Sequence, residues 1–201
     1  MRFFQADSLD EAYKNMCEFL VLEGISTSRR NEQMKEQPNV FLTLTNPRHR
    51  VIQNPARNLS PSFLIGEFLW ILSGSDDVSF ISHYNTKMRR YSDDSLKMYG
   101  AYGKRLASQW NPLIEKLKVD PMTRQAVITI LRPEDISTNT KDFPCNIALN
   151  FWCDSNRRLN LTTFVRSQDM FLGFPYDVFH WTLFQENVAL SAGLKLGSYH
   201  H

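Results

Sequence analysis

The chain has 201 residues, with 23 Lys and Arg against 21 Asp and Glu, a net charge of +2, 42% hydrophobic residues and 12% aromatic ones. That composition suits one packed globular domain and excludes a disordered tail, a fibrous repeat and a chain of membrane spans. So small a net charge gives no bulk electrostatic case for binding nucleic acid. Three scattered cysteines, Cys17, Cys145 and Cys153, do not make a disulfide framework, which points to a reducing, cytoplasmic setting. The opening MRFFQADSLDEAYKNM has no apolar core of a signal segment, and the longest apolar stretch, residues 63–72, is interrupted by Gly66 and Glu67. Neither a targeting segment nor contact with a membrane is expected.

In chain order, residues 10–24 place Ala12, Met16, Phe19, Leu20 and Leu22 near helical spacing and end on Gly24, which predicts a helix. Residues 24–37 are polar, with Arg29 and Arg30 adjacent, and read as a loop. A short strand is expected over 40–45, stopped by Asn46 and Pro47. Ser60 and Pro61 supply an N-cap and a first-turn proline for a helix that Gly74 ends. Its body, FLIGEFLWIL, is apolar nearly all round and predicts a buried helix. Residues 76–106 show no clean period. A short helix over 112–119 is broken by Asp120 and Pro121, and residues 125–131 (QAVITIL) form a strand rich in β-branched side chains. Residues 132–143 read as a polar loop. Strands over 146–153 and 159–165 make a hairpin, and a long helix runs over 176–193. This mixed order, with strands clustered in the second half, predicts one α+β domain over 1–201 with helices packed on a mixed sheet.

Several residues could carry chemistry. Cys145 follows Pro144 where a polar loop enters a strand, a junction that can present a thiol to a cleft. The alternative is a packed core thiol, the reading adopted for Cys17 and Cys153. A nucleophilic thiolate needs positive surroundings, and Arg166, at the far end of the same hairpin, is the nearest candidate. Glu67 sits inside an apolar helix; it either pairs with an Arg or carries a proton at a pKa raised by burial, and both readings stand open. Arg30, Arg124, Arg166 and Ser167 are loop donors that could cradle a phosphate or simply be solvated. No GxGxxG, P-loop, GxSxG or HxxxH pattern is present, so dinucleotide, triphosphate, serine-elbow and metal readings lack support.

The segments DFPCNIALNFW and RSQDMFLGFPYD resemble the thymidylate synthase superfamily, in which a Pro-Cys strand start and an R-S-x-D-x-x-L-G-x-P segment build the nucleotide site. SRRNE, GEFLWILSG, AYGKRL and DPMTRQ resemble further family blocks, in the family order, across most of residues 10–201. The resemblance implies a three-layer α+β fold whose large sheet packs on that of a second subunit in a homodimer. It implies that Cys145 adds to C6 of a pyrimidine nucleoside monophosphate, turning C5 into a carbon nucleophile, with 5,10-methylenetetrahydrofolate as the one-carbon donor. Glu67 and Tyr102 would manage protons. Arg30, Arg166 and Ser167, with Arg124 from the partner subunit, would hold the 5′-phosphate. Asp169, Leu172, Gly173 and Tyr176 would line the base and folate site.

Five positions depart from the family pattern. Asp177 stands where a synthase acting on deoxyuridylate has Asn, and a carboxylate can accept from a cytosine 4-amino group while sharing a proton with N3. Family members with this Asp resemble cytidylate or deoxycytidylate 5-hydroxymethylases, so CMP or dCMP is the expected substrate, with thymidylate synthase activity on dUMP or a weakly catalytic nucleotide-binding relative as alternatives. Met88 and Tyr91 replace two tryptophans, Asn146 replaces the His after the nucleophile, and Gln125 replaces the second Arg of the partner-supplied pair. The sequence stops at GSYHH, before the family's G-D-x-H-x-Y segment, so the domain is expected to lack that C-terminal part.

Overall fold

The computed structural model describes residues 1–29 and 32–201. In chain order its strands are β1 (Arg2–Ala6), β2 (Ile25–Arg29), β3 (Glu32–Glu36), β4 (Val40–Leu44), β5 (Val127–Thr129), β6 (Asn146–Cys153), β7 (Arg158–Val165) and β8 (Lys195–His200). The α-helices are α1 (Leu9–Glu23), α2 (Pro61–Leu72), α3 (Val78–Tyr84), α4 (Tyr102–Leu106), α5 (Trp110–Val119) and α6 (Phe174–Ala192). Six strands form one mixed sheet in the order β1-β4-β8-β7-β6-β5, while β2 and β3 make a separate antiparallel ribbon. β1 is parallel to β4 and β7 to β8; the other pairings of the large sheet are antiparallel.

Local chemistry sets the helix starts that position the site. Ser8 Oγ accepts from the Glu11 N–H at 3.2 Å, and Asp10 and Glu11 put negative charge on the first turn of α1. Ser60 Oγ accepts from the Phe63 N–H at 3.3 Å, and Pro61 fills the first turn of α2. α6 ends at Gly193, whose φ of 69° is the left-handed conformation of a helix C-cap. α6 buries residues around nearly its whole circumference, Trp181 and Phe184 among them, so it runs through the core rather than over it.

The sheet has two unlike faces. Leu42, Leu44, Ile128, Leu149, Phe151, Leu159, Leu161 and Tyr199 are fully buried on the helix-covered face. The opposite face carries no helix among the described residues. It presents Phe3, Phe41, Trp152 and Phe164, all exposed, and ring contacts run from Phe3 to Phe41 to His200 to Trp152 at 5.8 to 6.0 Å. Alternation along each strand produces this division, since a period of two sends successive side chains to opposite faces.

Several expected boundaries move. Residues 24–37 are not a loop: their polar side chains hide the β2–β3 ribbon, which is held by backbone pairing from Ile25↔Glu36 to Arg29↔Glu32. β1 and β8 have no sequence signal, because RFFQA and KLGSYH lack an alternating apolar pattern and become strands through their pairing with β4 and β7. The periodless stretch 76–106 contains α3, a 3-10 segment over Thr86–Tyr91, and α4. The strand expected over 125–131 is confined to Val127–Thr129, the loop over 132–143 contains a 3-10 turn at Pro133–Ser137, and α6 begins two residues early, at Phe174.

Candidate active site

Cys145 sits immediately before β6, half-buried, at the end of a loop that Arg166 clamps from β7. The Arg166 Nε donates to the Pro144 carbonyl at 2.8 Å and Nη2 to the Phe143 carbonyl at 3.0 Å, while Nη2 lies 3.6 Å from Cys145 Sγ. The guanidinium also stacks 4.9 Å over the Phe143 ring. Its planar fork thus fixes the backbone before the nucleophile and places a cation against the sulfur. Burial nevertheless pushes the Cys145 thiol up; Arg166 opposes this, and the carboxylates of Asp177 and Asp142 add to it.

α6 and α4 build the other side of the cluster. Asn146, fully buried, donates from Nδ2 to Tyr102 Oη at 2.9 Å and to Asp177 Oδ2 at 3.4 Å, and its Oδ1 accepts from Trp181 Nε1 at 3.0 Å. Asp177 also accepts from the Gln168 side chain, yet burial raises its carboxyl from 3.8 to about 6. Tyr102, at the first position of α4, is raised well above the usual phenol range, mainly by burial and next by the Asp177 charge.

Glu67 resolves one of the open readings. Among the described residues no Arg pairs with it, and its Oε2 lies 3.5 Å from His180 Nε2. His180 is buried and depressed to about 3 by desolvation, and its Nε2 lies 3.2 Å from the Leu64 carbonyl. Glu67 is raised well above the usual carboxylate range by burial and by Asp177, and its Oε2 has no hydrogen-bond partner. His180 is therefore uncharged near neutrality, so the contact is not an ion pair, and it leaves a carboxyl of raised proton affinity beside the site.

The remaining expected residues divide. Ser167 is exposed next to Arg166. Asp169 Oδ1 accepts from the N–H groups of Phe171 and Leu172, and its carbonyl accepts from those of Gly173 and Phe174. It organises the turn into α6 and has only its other oxygen to offer a ligand. Leu172, 61% exposed, sits on this lip beside exposed Phe171. A Cβ on Gly173 would lie 2.7 Å from Gln168 Nε2, so glycine is what lets Gln168 reach Asp177. Tyr176 stacks edge-on against Phe63 at 4.9 Å and accepts from the Ser60 N–H at 3.4 Å. Arg124 is exposed in the turn before β5 and makes no hydrogen bond or ion pair with the cluster among the described residues. Arg30 lies outside the described residues.

Gln168, His180 and Trp181 belong to the cluster and were not expected there. A signal existed: Asp177, His180 and Trp181 stand at i, i+3 and i+4, one face of a helix, so a role for Asp177 implicates the other two. A surface cavity of about 450 Å³, lined by Tyr91, Asp93, Asn139, Thr140 and Lys141, shares no residue with this cluster. No described helix is long and apolar enough to cross a membrane.

The family model for thymidylate synthase matches residues 11–201. A deoxyuridylate hydroxymethyltransferase of Bacillus phage SP01 is 34% identical over 218 residues, covering all of this chain and 57% of its own length. Proteins of the same description from Pseudomonas phage M6 and Delftia phage PhiW-14 are 30% and 29% identical, covering 99% and 89% of this chain and 59% and 56% of their own. The chain thus spans a little over half the length of these relatives. The match extends from α1 to the end of β8 and spans both segments that hold Cys145, Arg166 and Asp177, and on that ground the chain belongs to the thymidylate synthase family.

Proposed function

We propose that the protein hydroxymethylates C5 of a pyrimidine nucleoside 5′-monophosphate, with Cys145 as the nucleophile and deoxyuridylate as the substrate. The observation that carries this reading is the Cys145 thiol, 3.6 Å from the Arg166 guanidinium, in one cluster with the proton-holding carboxyls of Asp177 and Glu67. Attack of the sulfur on C6 breaks the C5–C6 π bond and puts its electron pair on C5 and O4, which makes C5 nucleophilic. Arg166 stabilises the thiolate and, with Ser167 beside it, offers donors to a 5′-phosphate. Glu67, whose proton affinity is raised by burial and whose Oε2 has no hydrogen-bond partner among the described residues, can hand a proton to the base and take one back.

A reduced folate suits the lip in chemical type, since exposed Phe171 and Leu172 offer apolar surface for a flat ring system and Asp169 keeps one oxygen for a donor. When bound, 5,10-methylenetetrahydrofolate would supply a one-carbon unit at the formaldehyde level, which with water gives a hydroxymethyl group without net oxidation or reduction. The exposed aromatic face of the large sheet suits a second copy of the chain, so we propose a homodimer with Arg124 reaching the partner's phosphate site.

The named activity of the three phage relatives supports uracil as the base. A protonated Asp177 suits it, offering one donor to O4 and one acceptor to N3–H, as a carboxamide would. The second reading is CMP or dCMP, and Asp177 itself favours it: an ionised carboxylate accepts from the 4-amino group of cytosine. The test incubates the full chain with 5-tritiated dUMP, dCMP and CMP and 5,10-methylenetetrahydrofolate, and identifies products by mass. Tritium release from dUMP with a hydroxymethyl product and no dihydrofolate is expected. A methylated product with dihydrofolate would replace this reading by thymidylate synthesis, and release from dCMP or CMP alone would install the second reading.

A further inference from the structure

The Asn146 carboxamide has its polarity fixed from outside the reacting cluster. An indole N–H can only donate, so the atom 3.0 Å from Trp181 Nε1 has to be the carboxamide oxygen. The NH2 group is thereby turned toward Tyr102 Oη and Asp177 Oδ2. The Tyr102 oxygen receives this N–H at 2.9 Å. With its oxygen accepting from the carboxamide, the phenol's own hydrogen points away from Asn146. Tyr102 has no other hydrogen-bond partner among the described residues, and Cys145 and Asp177 are the ionisable groups that act on it.

Resting on the proposed function, we propose that Trp181 is a positioning residue that locks the Asn146 carboxamide, and so makes Tyr102 a hydrogen-bond donor to the reacting base and keeps Asp177 Oδ2 an acceptor. The lock lies behind the chemistry: Trp181 is 1% exposed, packs on Tyr102 at 5.4 Å and on Phe184 at 5.9 Å, and touches neither Cys145 nor Arg166 by any hydrogen bond. Without the indole N–H the carboxamide is free to rotate. Its oxygen would then accept the Tyr102 hydrogen and face the Asp177 carboxyl. The base would lose a donor, and Asp177 would hold its proton more tightly. Besides Asn146, Gln168 from the loop before α6 donates to Asp177, and the Asp177 charge is felt at Glu67 from α2, Tyr102 from α4, Cys145 before β6 and Tyr199 from β8. None of these is removed by replacing Trp181.

The experiment is Trp181→Phe, read in two ways. The first is the 13C carboxyl titration of Asp177 in the free protein, which needs no turnover and so stands even if the proposed activity fails. An upward shift of the midpoint is expected, and an unchanged or lowered midpoint overturns the lock. The second is a cycle with Asn146→Ala, following tritium release. Trp181→Phe alone should lower kcat roughly tenfold to a hundredfold with KM little changed, and should add nothing in the Asn146→Ala background. Additive losses would show that Trp181 acts only as packing and overturn the lock. Should Trp181→Phe not fold, Asn146→Asp keeps the shape and the indole bond but presents an acceptor to Tyr102 and Asp177. It should raise the Asp177 midpoint and lower kcat, and a normal kcat overturns the proposal.

Discussion

At Asp177 the site sets stability against chemistry. Its carboxyl is raised from 3.8 to about 6, with burial the largest cause. The folded state therefore binds the proton more tightly than the unfolded chain, so the associated stability is full below 3.8 and is lost as pH rises through about 6. Asp177→Asn removes that loss. Thermal melts should show the variant gaining stability over the natural protein between about pH 4 and pH 7, with no gain at the acid end. The same change should remove the fall in kcat/KM for dUMP above the Asp177 midpoint, because a carboxamide keeps its donor at every pH, and it should weaken any activity on cytosine nucleotides. If Asp177 only placed negative charge on the first turn of α6, nucleotide specificity would stay put in the Asn variant. The Glu67–His180 contact could not be read in the sequence. It depends on α2 and α6 meeting across 112 intervening positions, whereas the sequence leaves Glu67 either paired with an Arg or holding a proton.

At the scale of elements, two contacts hold the cluster in place. A Cβ at Gly66 of α2 would lie 2.4 Å from the Tyr84 ring of α3, and that ring cannot retreat without moving its helix. Gly66→Ala improves helix propensity by about 1 kcal/mol, but overpacking costs about 1–3 kcal/mol. A net loss is expected in denaturant unfolding, and a stabilised variant would contradict the close approach. The second contact is the buried pair of Arg105 on α4 and Asp135, 3% and 0% exposed at the side chain, in which Nη1 meets Oδ2 at 2.6 Å. Asp135 also accepts from Tyr99 Oη and the Arg132 N–H, and its carboxyl is held at about 2. Asp135→Asn leaves the Arg105 charge without its counterpart, which should cost about 3–5 kcal/mol in unfolding experiments and slow catalysis through Tyr102. The natural pair loses its contribution as pH falls through about 2, since its carboxylate is depressed. None of this was visible in residues 76–106, because α3 and α4 are short and take their structure from what they pack against.

For the molecule as a whole, the uncovered face of the sheet is the feature that bears on assembly. Phe3, Phe41, Trp152 and Phe164 are 36% exposed or more, on one side of four different strands. Contiguous exposed apolar surface of this kind marks an interaction site. Sedimentation should find a dimer, and Phe164→Glu, which puts a charge on that face, should shift it toward monomer. If Arg124 serves the partner's site, mixing Cys145→Ser protein with Arg124→Ala protein should restore activity, because the hybrid carries one site with both residues intact. An active monomer would remove both expectations.

Local signals in the sequence were enough for α1 with Gly24 at its end, the capped start of α2, the β6–β7 hairpin, the long α6, and the two segments that carry Cys145, Arg166 and Asp177. Each depends on residues a few positions apart, through periodicity, caps and turn chemistry. Tertiary structure decided what depends on distant pairing. It made strands of RFFQA and KLGSYH, showed that Glu67 meets a neutral His180 and not an arginine, turned Asp169 into the organiser of a turn, and brought Gln168, Asn146 and Trp181 around Asp177. A hydrogen bond to a buried carboxyl is specified by which helix face meets which strand end, and that choice is made only when the core packs.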